Sequence, residues 1–402
     1  MHILFLAPHP FYQDRGTPIA VNLILRVLAE RGETVDVLTY HEGSQVQHPG
    51  MTLRRIRFLP FIRNIRPGFS FKKLLCDGVM MIHALLLARK HHYHVVHAVE
   101  ESVFMALLIK TLFRIPYVYD MDSSLPQQMV ESNVCFRPFL VMLSFCESLA
   151  IKRAKAVVPV CDVLGDLARR HGAQEVSILQ DIPLLEGGCS PELSKKDVEA
   201  ERERITITYV GNLEPYQGID LLLESFSLLT RYVDHADLVI VGGTKAHIQR
   251  YEQKSRNLGI GGRVCFWGAK PTDQLAFFLA KSDILVSPRI QGNNTPMKLY
   301  SYLQSGKPIV ATNLPTHTQV LTDRVAMLVG PDPEAFSRGM LCLIQDSALS
   351  QALGEAGRIL VEQHYSFASF RAKVNNLYDW LASTLVSESK QEEYFHSPYS
   401  SI

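Results

Sequence analysis

Short apolar runs alternate with helix-length segments along almost all of this 402-residue chain, and that alternation limits the fold more than any other feature. In the first half the predicted strands are Ile3 to Ala7, Val35 to Thr39, Val95 to Ala98, Tyr117 to Tyr119, Val157 to Val160 and Ser177 to Leu179. In the second half they are Ile205 to Val210, Leu238 to Val241, Val264 to Trp267, Ile284 to Ser287 and Ile309 to Ala311. Helices are predicted over Ile19 to Arg31 and Ile219 to Arg231, and in the latter Ile219, Leu222, Leu223, Phe226 and Leu229 recur at helical spacing as one buried stripe. Strands joined through helices lie parallel, so the chain reads as α/β with doubly wound sheets. The length exceeds that of one hydrophobic core and predicts two domains. Their expected bounds are 1–184 and 205–366, separated by a charge-rich linker over 185–204. An amphipathic helix is expected over 367–385, with a polar end over 387–402 that frays.

A formal net charge of +1 argues against a chain whose main task is to coat nucleic acid. A local exception runs from Arg54 to Lys73, where Arg54, Arg55, Arg57, Arg63, Arg66, Lys72 and Lys73 alternate with Phe58, Phe61, Phe69 and Phe71 without an acidic residue. This stretch is either a solvated face or one suited to an anionic membrane surface. Seven scattered cysteines fit reduced thiols in a cytosolic protein. The start MHILFLAPHPF reads as a first strand and not as a signal peptide, and no apolar stretch is long enough for a convincing membrane span.

The segment SPRIQGNNTPMKLYSYLQSGKPIVAT, from Ser287 to Thr312, carries the strongest functional signal. Thr295 is a suitable N-cap and Pro296 suits the first helical position, which would point the N–H groups around Thr295, Pro296 and Met297 at the preceding loop. Arg289 and Lys298 add formal positive charge there, so the segment reads as a site for an anion. The bland alternatives are a structural salt bridge for Arg289 and a solvated first-turn lysine for Lys298. Gly16, Gly211 and Gly218 lie near helix starts, where they either permit tight turns or let a nucleotide diphosphate approach the backbone. No G-x-G-x-x-G follows any predicted strand, which argues against a nicotinamide dinucleotide.

The GTP triplet before the first helix, GNLEPYQGIDLLLESF from Gly211, NTPMKLYSYLQSGKPIVAT from Asn294 and YSFASFRAKVNNLYDWL from Tyr365 together resemble the retaining GT-B glycosyltransferases of family 4 (glycosyl transferases group 1). The resemblance implies two Rossmann-like doubly wound domains facing across a cleft, with the last helix crossing back to the first domain. It also implies a nucleotide-sugar donor bound by Gly16, Gly211, Asn212, Gln217, Asn293, Asn294, Thr295, Pro296, Met297 and Ser301, with no metal or other cofactor. The chain departs from the family at five positions: Asn212 and Gln217 stand where Arg and Lys are common, Asn293 and Ser301 where a glutamate pair is usual, and Asp122 where a histidine is often found. Asn293 could still bond sugar hydroxyls and Ser301 a ribose hydroxyl.

In retaining transfer of this kind the leaving diphosphate helps to deprotonate the acceptor, so the protein mainly stabilises charge. Arg289 and Lys298 are the candidates for that task. Asp122 either touches the sugar or acceptor, or caps the turn after it. Glu100 and Glu101 are either acceptor-pocket groups or solvated helix-start acids, and His97 packs inside its strand. The run KHHYHVVH lacks the further ligands of a zinc site. The sequence therefore predicts a cytoplasmic enzyme, peripheral on the inner membrane face, that moves a hexose-type sugar to a hydroxyl of a glycan or lipid-linked saccharide. The alternative is a catalytically silent GT-B partner that binds nucleotide sugar or glycan, which the missing glutamate pair favours.

Overall fold

The computed structural model describes residues 1–13, 16–59, 61–63, 65, 70–132, 134–185, 204–292 and 294–396. Residues Met1–Gln180, with the chain from Phe370 onward, form one compact unit, and Asp181–Ser369 form a second. Most of the expected linker, 186–203, lies outside the described residues.

The first unit is built on a six-stranded sheet in the order β3-β2-β1-β4-β5-β6. Its strands are β1 (His2–Ala7), β2 (Thr34–Thr39), β3 (Met51–Arg55), β4 (Val95–Val99), β5 (Tyr117–Met121) and β6 (Ala156–Pro159). All pairings are parallel, with Ile3 in register with Val35 on one side and Val95 on the other. β4 and β5 are buried at every position, as strands covered on both faces must be. The helices are α1 (Gly16–Glu30), α2 (Phe71–Lys90), α3 (Val103–Phe113), α4 (Leu125–Ser132), α5 (Leu140–Arg153) and α6 (Asp162–Arg170). Small residues let α2, α3 and α5 sit close on one sheet face: Ala84, Ala106 and Ala150 share a core with Leu4, Leu6, Tyr117 and Tyr119.

The long helix Phe367–His396 places Phe370, Val374, Leu377, Tyr378 and Leu381 at helical spacing in the core. Tyr378 Oη lies 2.8 Å from Nδ1 of His97, whose Nε2 lies 3.3 Å from Asp120 Oδ2 and whose ring stacks on Phe5 at 4.4 Å. His97 is thus a packed core residue, as expected. Arg31 adds a 2.8 Å bond to Asp379.

The second unit repeats the plan with β7 (Ile205–Val210), β8 (Ala236–Val241), β9 (Val264–Gly268), β10 (Ile284–Ser287), β11 (Ile309–Thr312) and β12 (Met327–Val329). Their order is β12-β11-β10-β7-β8-β9, which is the first sheet's order read in reverse. The predicted stripe on helix Ile219–Leu229 is buried throughout. In each sheet the winding reverses between the first strand and the fourth, β1 and β4 or β7 and β10, and the crevice outside their carboxyl ends is where such folds bind ligands.

Three expectations differ from the structure. Ser177 to Leu179 is not a strand: Ser177 N–H and Leu179 N–H bond to Val157 O and Pro159 O along β6, but only Val176 forms a bridge. The last helix runs past its expected end at Leu385 to His396. Edge strand β3 and three-residue β12 carry too little apolar alternation to register in the sequence, and β3 sits inside the basic stretch.

Candidate active site at the β7 and β10 carboxyl ends

Two loops leave the second sheet at its switch point, one after β7 through Gly211 to the 3₁₀ turn Pro215–Gln217, the other after β10 through Arg289 to the helix Lys298–Gln304. They are fitted tightly together. Ile290 N–H donates to Tyr216 O at 3.0 Å. Gly218 has φ +73°, and a Cβ there would lie 1.9 Å from Pro288 O, so only glycine lets the loops approach. Val210 N–H, at the end of β7, donates to Tyr302 Oη at 2.7 Å.

Lys298 stands at the centre of this arrangement. Its Nζ donates to Gln217 Oε1 at 3.3 Å, lies 3.9 Å from the Tyr209 ring centroid and sits 3.4 Å from where a Cβ on Gly211 would be. Among the described residues it has no carboxylate partner. Burial, and then the neighbouring Arg289 guanidinium, hold its pKa well below the ordinary lysine value. A half-buried lysine whose ammonium is held by an amide oxygen and an aromatic face is a cation prepared for an anion that arrives from solution.

Arg289 is 7% exposed and braces its own loop. Nε donates to Gln291 O at 2.7 Å, and Nη1 and Nη2 donate to Asn294 O and Oδ1 at 3.3 and 2.9 Å. The guanidinium also lies 5.2 Å from the Tyr216 ring centroid. Beneath both cations, His317 is fully buried, with Nε2 2.8 Å from Ser287 Oγ and Nδ1 2.9 Å from Thr312 O. A carbonyl can only accept, so Nδ1 carries the proton. Burial depresses its pKa to about 3, Lys298 and Arg289 adding to the effect against the Thr312 bond, so the imidazole is neutral at ordinary pH.

Gly211, Asn212, Gln217, Arg289, Asn294 and Lys298 lie on or beside these two loops, and several of the predicted site residues have other local partners than expected. Thr295 is not the N-cap: the helix starts at Lys298 after Met297, and the first turn bonds run from Leu299 N–H to Pro296 O and Tyr300 N–H to Met297 O. Arg289 and Thr316 Oγ1 hold Asn294 O, which fixes the chain ahead of the turn, and Thr295 Oγ1 is buried without a partner among the described residues. Ser301 does not reach toward a ribose: it is fully buried and its Oγ accepts from Leu184 N–H at 3.0 Å. Asn293 lies outside the described residues. Asn212 is a loop brace, with Oδ1 accepting from Glu214 N–H at 3.3 Å. Tyr209, Tyr216 and His317 escaped the sequence reading, because an aromatic that ends a strand or follows one looks like core.

Gly16 and Asp122 belong to the first unit. Gly16 begins α1, where a Cβ would meet nothing within 4 Å, so the backbone there does not require glycine. Asp122 follows β5, while the start of α4 is held by buried Glu147, which accepts from Leu125 N–H at 2.8 Å and Ser124 Oγ at 3.0 Å. Glu100 and Glu101 are not solvated: Lys73 Nζ lies 3.9 and 2.5 Å from their carboxylates. Burial, only partly offset by Lys73, raises the Glu101 pKa, and burial likewise raises that of Asp77, which accepts from Tyr40 Oη. Glu100 itself has φ +48°. The basic stretch is correspondingly less free than its composition implies. Lys73 is in this cluster, Arg54 pairs with Asp36 at 2.9 Å, and Arg55 donates to the carbonyls of Glu42, Gly43 and Ser44. Arg66 and Phe69 lie outside the described residues. Among the described residues no group of three His, Cys, Asp or Glu is placed to hold a metal ion, and no helix is long and apolar enough to cross a membrane.

Two six-stranded parallel sheets, each doubly wound, are the arrangement of the GT-B fold, and solved structures agree on it. Sucrose-phosphate synthase from Thermosynechococcus elongatus superposes with a TM-score of 0.79 at 18% identity, covering 95% of this chain and 99% of that one. The Anabaena HepE protein in complex with UDP-glucose gives 0.71 at 14%, covering 94% and 99%. The chain carries a glycosyl transferase 4-like domain over residues 15–180 and a glycosyl transferases group 1 domain over 191–360, and it is a glycosyltransferase. It is 23% identical over 391 residues to the D-inositol 3-phosphate glycosyltransferase of Corynebacterium diphtheriae, spanning 90% of this chain and 89% of that protein. It is 26% identical over 180 residues, 43% of this chain and 46% of the relative, to a GDP-mannose-dependent alpha-(1-6)-phosphatidylinositol monomannoside mannosyltransferase of Mycobacterium tuberculosis.

Proposed function

We propose that the chain transfers a hexose-type sugar from a nucleotide-diphosphate donor to a hydroxyl of a glycan or lipid-linked saccharide, with retention of configuration. The observation that carries this reading is Lys298, a half-buried cation with no carboxylate partner among the described residues, beside the Gly211 backbone. The donor diphosphate occupies the space between Gly211, Lys298 and the Arg289 loop, and its negative charge meets both cations. As the anomeric carbon–phosphate oxygen bond breaks, charge builds on the diphosphate and Lys298 bonds it more strongly than in the ground state. The acceptor oxygen bonds to the anomeric carbon on the same face and gives its proton to a phosphate oxygen. Asp122 orients the acceptor in the first unit. Asn293 bonds the sugar hydroxyls, while Ser301 serves the fold. The reaction needs no divalent cation, because the protein's own cations meet the diphosphate charge.

Relatives named for inositol 3-phosphate and phosphatidylinositol monomannoside support a polyol or lipid-linked acceptor, and the reading is completed by a cytoplasmic enzyme at the inner membrane face. Calorimetry with UDP, GDP and their hexose conjugates, followed by transfer assays with the tightest donor, tests the reading. One nucleotide sugar is expected to bind and turn over without added metal. Absence of nucleotide binding at millimolar concentration would sink it.

A further inference from the structure

The outward face of α2, α3 and α5 is unusually apolar for a surface. Phe71, Leu75 and Leu86 on α2, Leu112 on α3 and Val141 and Phe145 on α5 are all exposed, Val141 to 81%, Phe71 to 72% and Phe145 to 68%. By contrast, the exposed large apolar residues on the described helices of the second unit are Phe277 and Ile359. Contacts of α2 with α3 and of α3 with α5 make the three helices one continuous layer, so the side chains form a patch and not scattered points.

The charges on this layer have one sign. Among these helices the only acids are Asp77, which accepts from Tyr40, and Glu147, which is 2% exposed and holds the start of α4. Lys72, Arg89, Lys90, Lys152 and Arg153 are exposed at the helix ends. An apolar field whose exposed charges are cations, Lys72 at one end and Arg89, Lys90, Lys152 and Arg153 at the other, with no exposed acid on the three helices, complements a bilayer with anionic headgroups. A second copy of the chain suits it less, since a two-fold contact sets a patch against itself and would bring the cations together.

We infer that the α2, α3 and α5 face docks on an anionic lipid surface, with the aromatic and aliphatic side chains entering the headgroup region. The helix N-termini, where Phe71, Val141 and Phe145 lie, are at the carboxyl edge of the first sheet, the edge that also holds Asp122 and Glu100. A lipid-linked acceptor would therefore reach that edge from the surface on which the unit rests. This inference extends the acceptor side of the proposed transfer and shifts the membrane contact from the partly engaged 54–73 stretch to a helical face.

The test is sedimentation of the full chain with vesicles of phosphatidylcholine alone and of phosphatidylcholine mixed equally with phosphatidylglycerol. Binding is expected to the mixed vesicles only, to weaken with salt, and to fall by roughly tenfold or more in Phe71→Ser/Phe145→Ser. Val141→Asp should act in the same direction. Thermal midpoints should hold, since these side chains are exposed. Calorimetric affinity for the donor nucleotide, measured without vesicles, should also hold, which separates failure of this inference from failure of the transferase reading. No binding to either vesicle, equal binding to both, binding unchanged in the variants, or a dimer in solution that the variants dissociate would each overturn it.

Discussion

Replacing Lys298 with methionine tests the site most directly. Methionine keeps much of the side chain's length and leaves the Tyr209 ring a soft apolar neighbour at the position where Nζ now lies 3.9 Å from its centroid. At an effective dielectric constant of about 20, a unit pair about 4 Å apart attracts by about 4 kcal/mol. With Arg289 retained and some solvent admitted, the loss for a bound diphosphate comes to about 3 kcal/mol, on the order of a hundredfold in Kd. The unliganded protein should not suffer, because the variant removes a half-buried cation whose oxygen partner is the neutral Gln217. Calorimetry with UDP and GDP gives the affinity, and a thermal melt gives the midpoint.

The proton balance supplies a second readout. Lys298 has a depressed pKa in the free protein and gains an anion on binding, so at a pH between its free and bound pKa values diphosphate binding should be accompanied by proton uptake at Nζ. Heats measured in buffers of different ionisation enthalpy should reveal that uptake in the wild type and lose it in the variant. Unchanged affinity with an intact midpoint would refute the role given to Lys298. A large fall in midpoint would show that the lysine is structural.

Ser301→Ala should lower stability by about 1–2 kcal/mol through the orphaned Leu184 N–H while leaving nucleotide affinity unchanged; weaker nucleotide binding would restore the ribose role. Gly218→Ala should destabilise by more than about 2 kcal/mol and weaken donor binding, since the added carbon meets Pro288 O next to Arg289. His317 has its folded pKa depressed to about 3 from an ordinary 6.5, so the unfolded chain binds more protons between these values. Its contribution is full above pH 6.5 and lost as pH falls toward 3; His317→Gln should flatten that part of the stability profile in denaturant titrations, and an unaltered slope would contradict the assignment. Lys73→Met leaves Glu100 and Glu101 without their cation; since Glu101 titrates at a pKa raised to about 8, the cost should reach about 3 kcal/mol above that pH and shrink below it as the carboxyl is protonated, which denaturant titrations on either side of that pH would read.

The sheets were legible because buried parallel strands such as Ile284–Ser287 are continuous apolar runs whose bounds the sequence marks clearly. The site was legible in position but not in detail. Lys298 and Gly211 stand out from sequence because one is a cation at a helix start and the other a glycine directly after a strand. That Arg289 spends its donors on Gln291 and Asn294, and that Ser301 serves Leu184, depends on loop paths with no periodic signal. The Lys73 cluster was hidden for a related reason. Its members come from α2 and from the end of β4, and only the packing of α2 against α3 brings them together. Read in line, Lys73 looked like one more cation in a basic run.

The tie between Tyr378 and His97 has a consequence for how the chain is made. Its two partners lie 281 positions apart, so a ribosome that has already produced every strand of the first sheet still holds a unit whose buried imidazole lacks its phenol. Asp181–Ser369 is finished before that helix emerges. The later half should thus reach its native state first during synthesis, with the earlier half completed only once the helix from Phe367 has emerged, a reversal of the usual N-to-C order. Nascent chains arrested just before Phe370 should show a protease-resistant second unit and a cleavable first one; equal resistance of both would show that the final helix decorates a unit already folded.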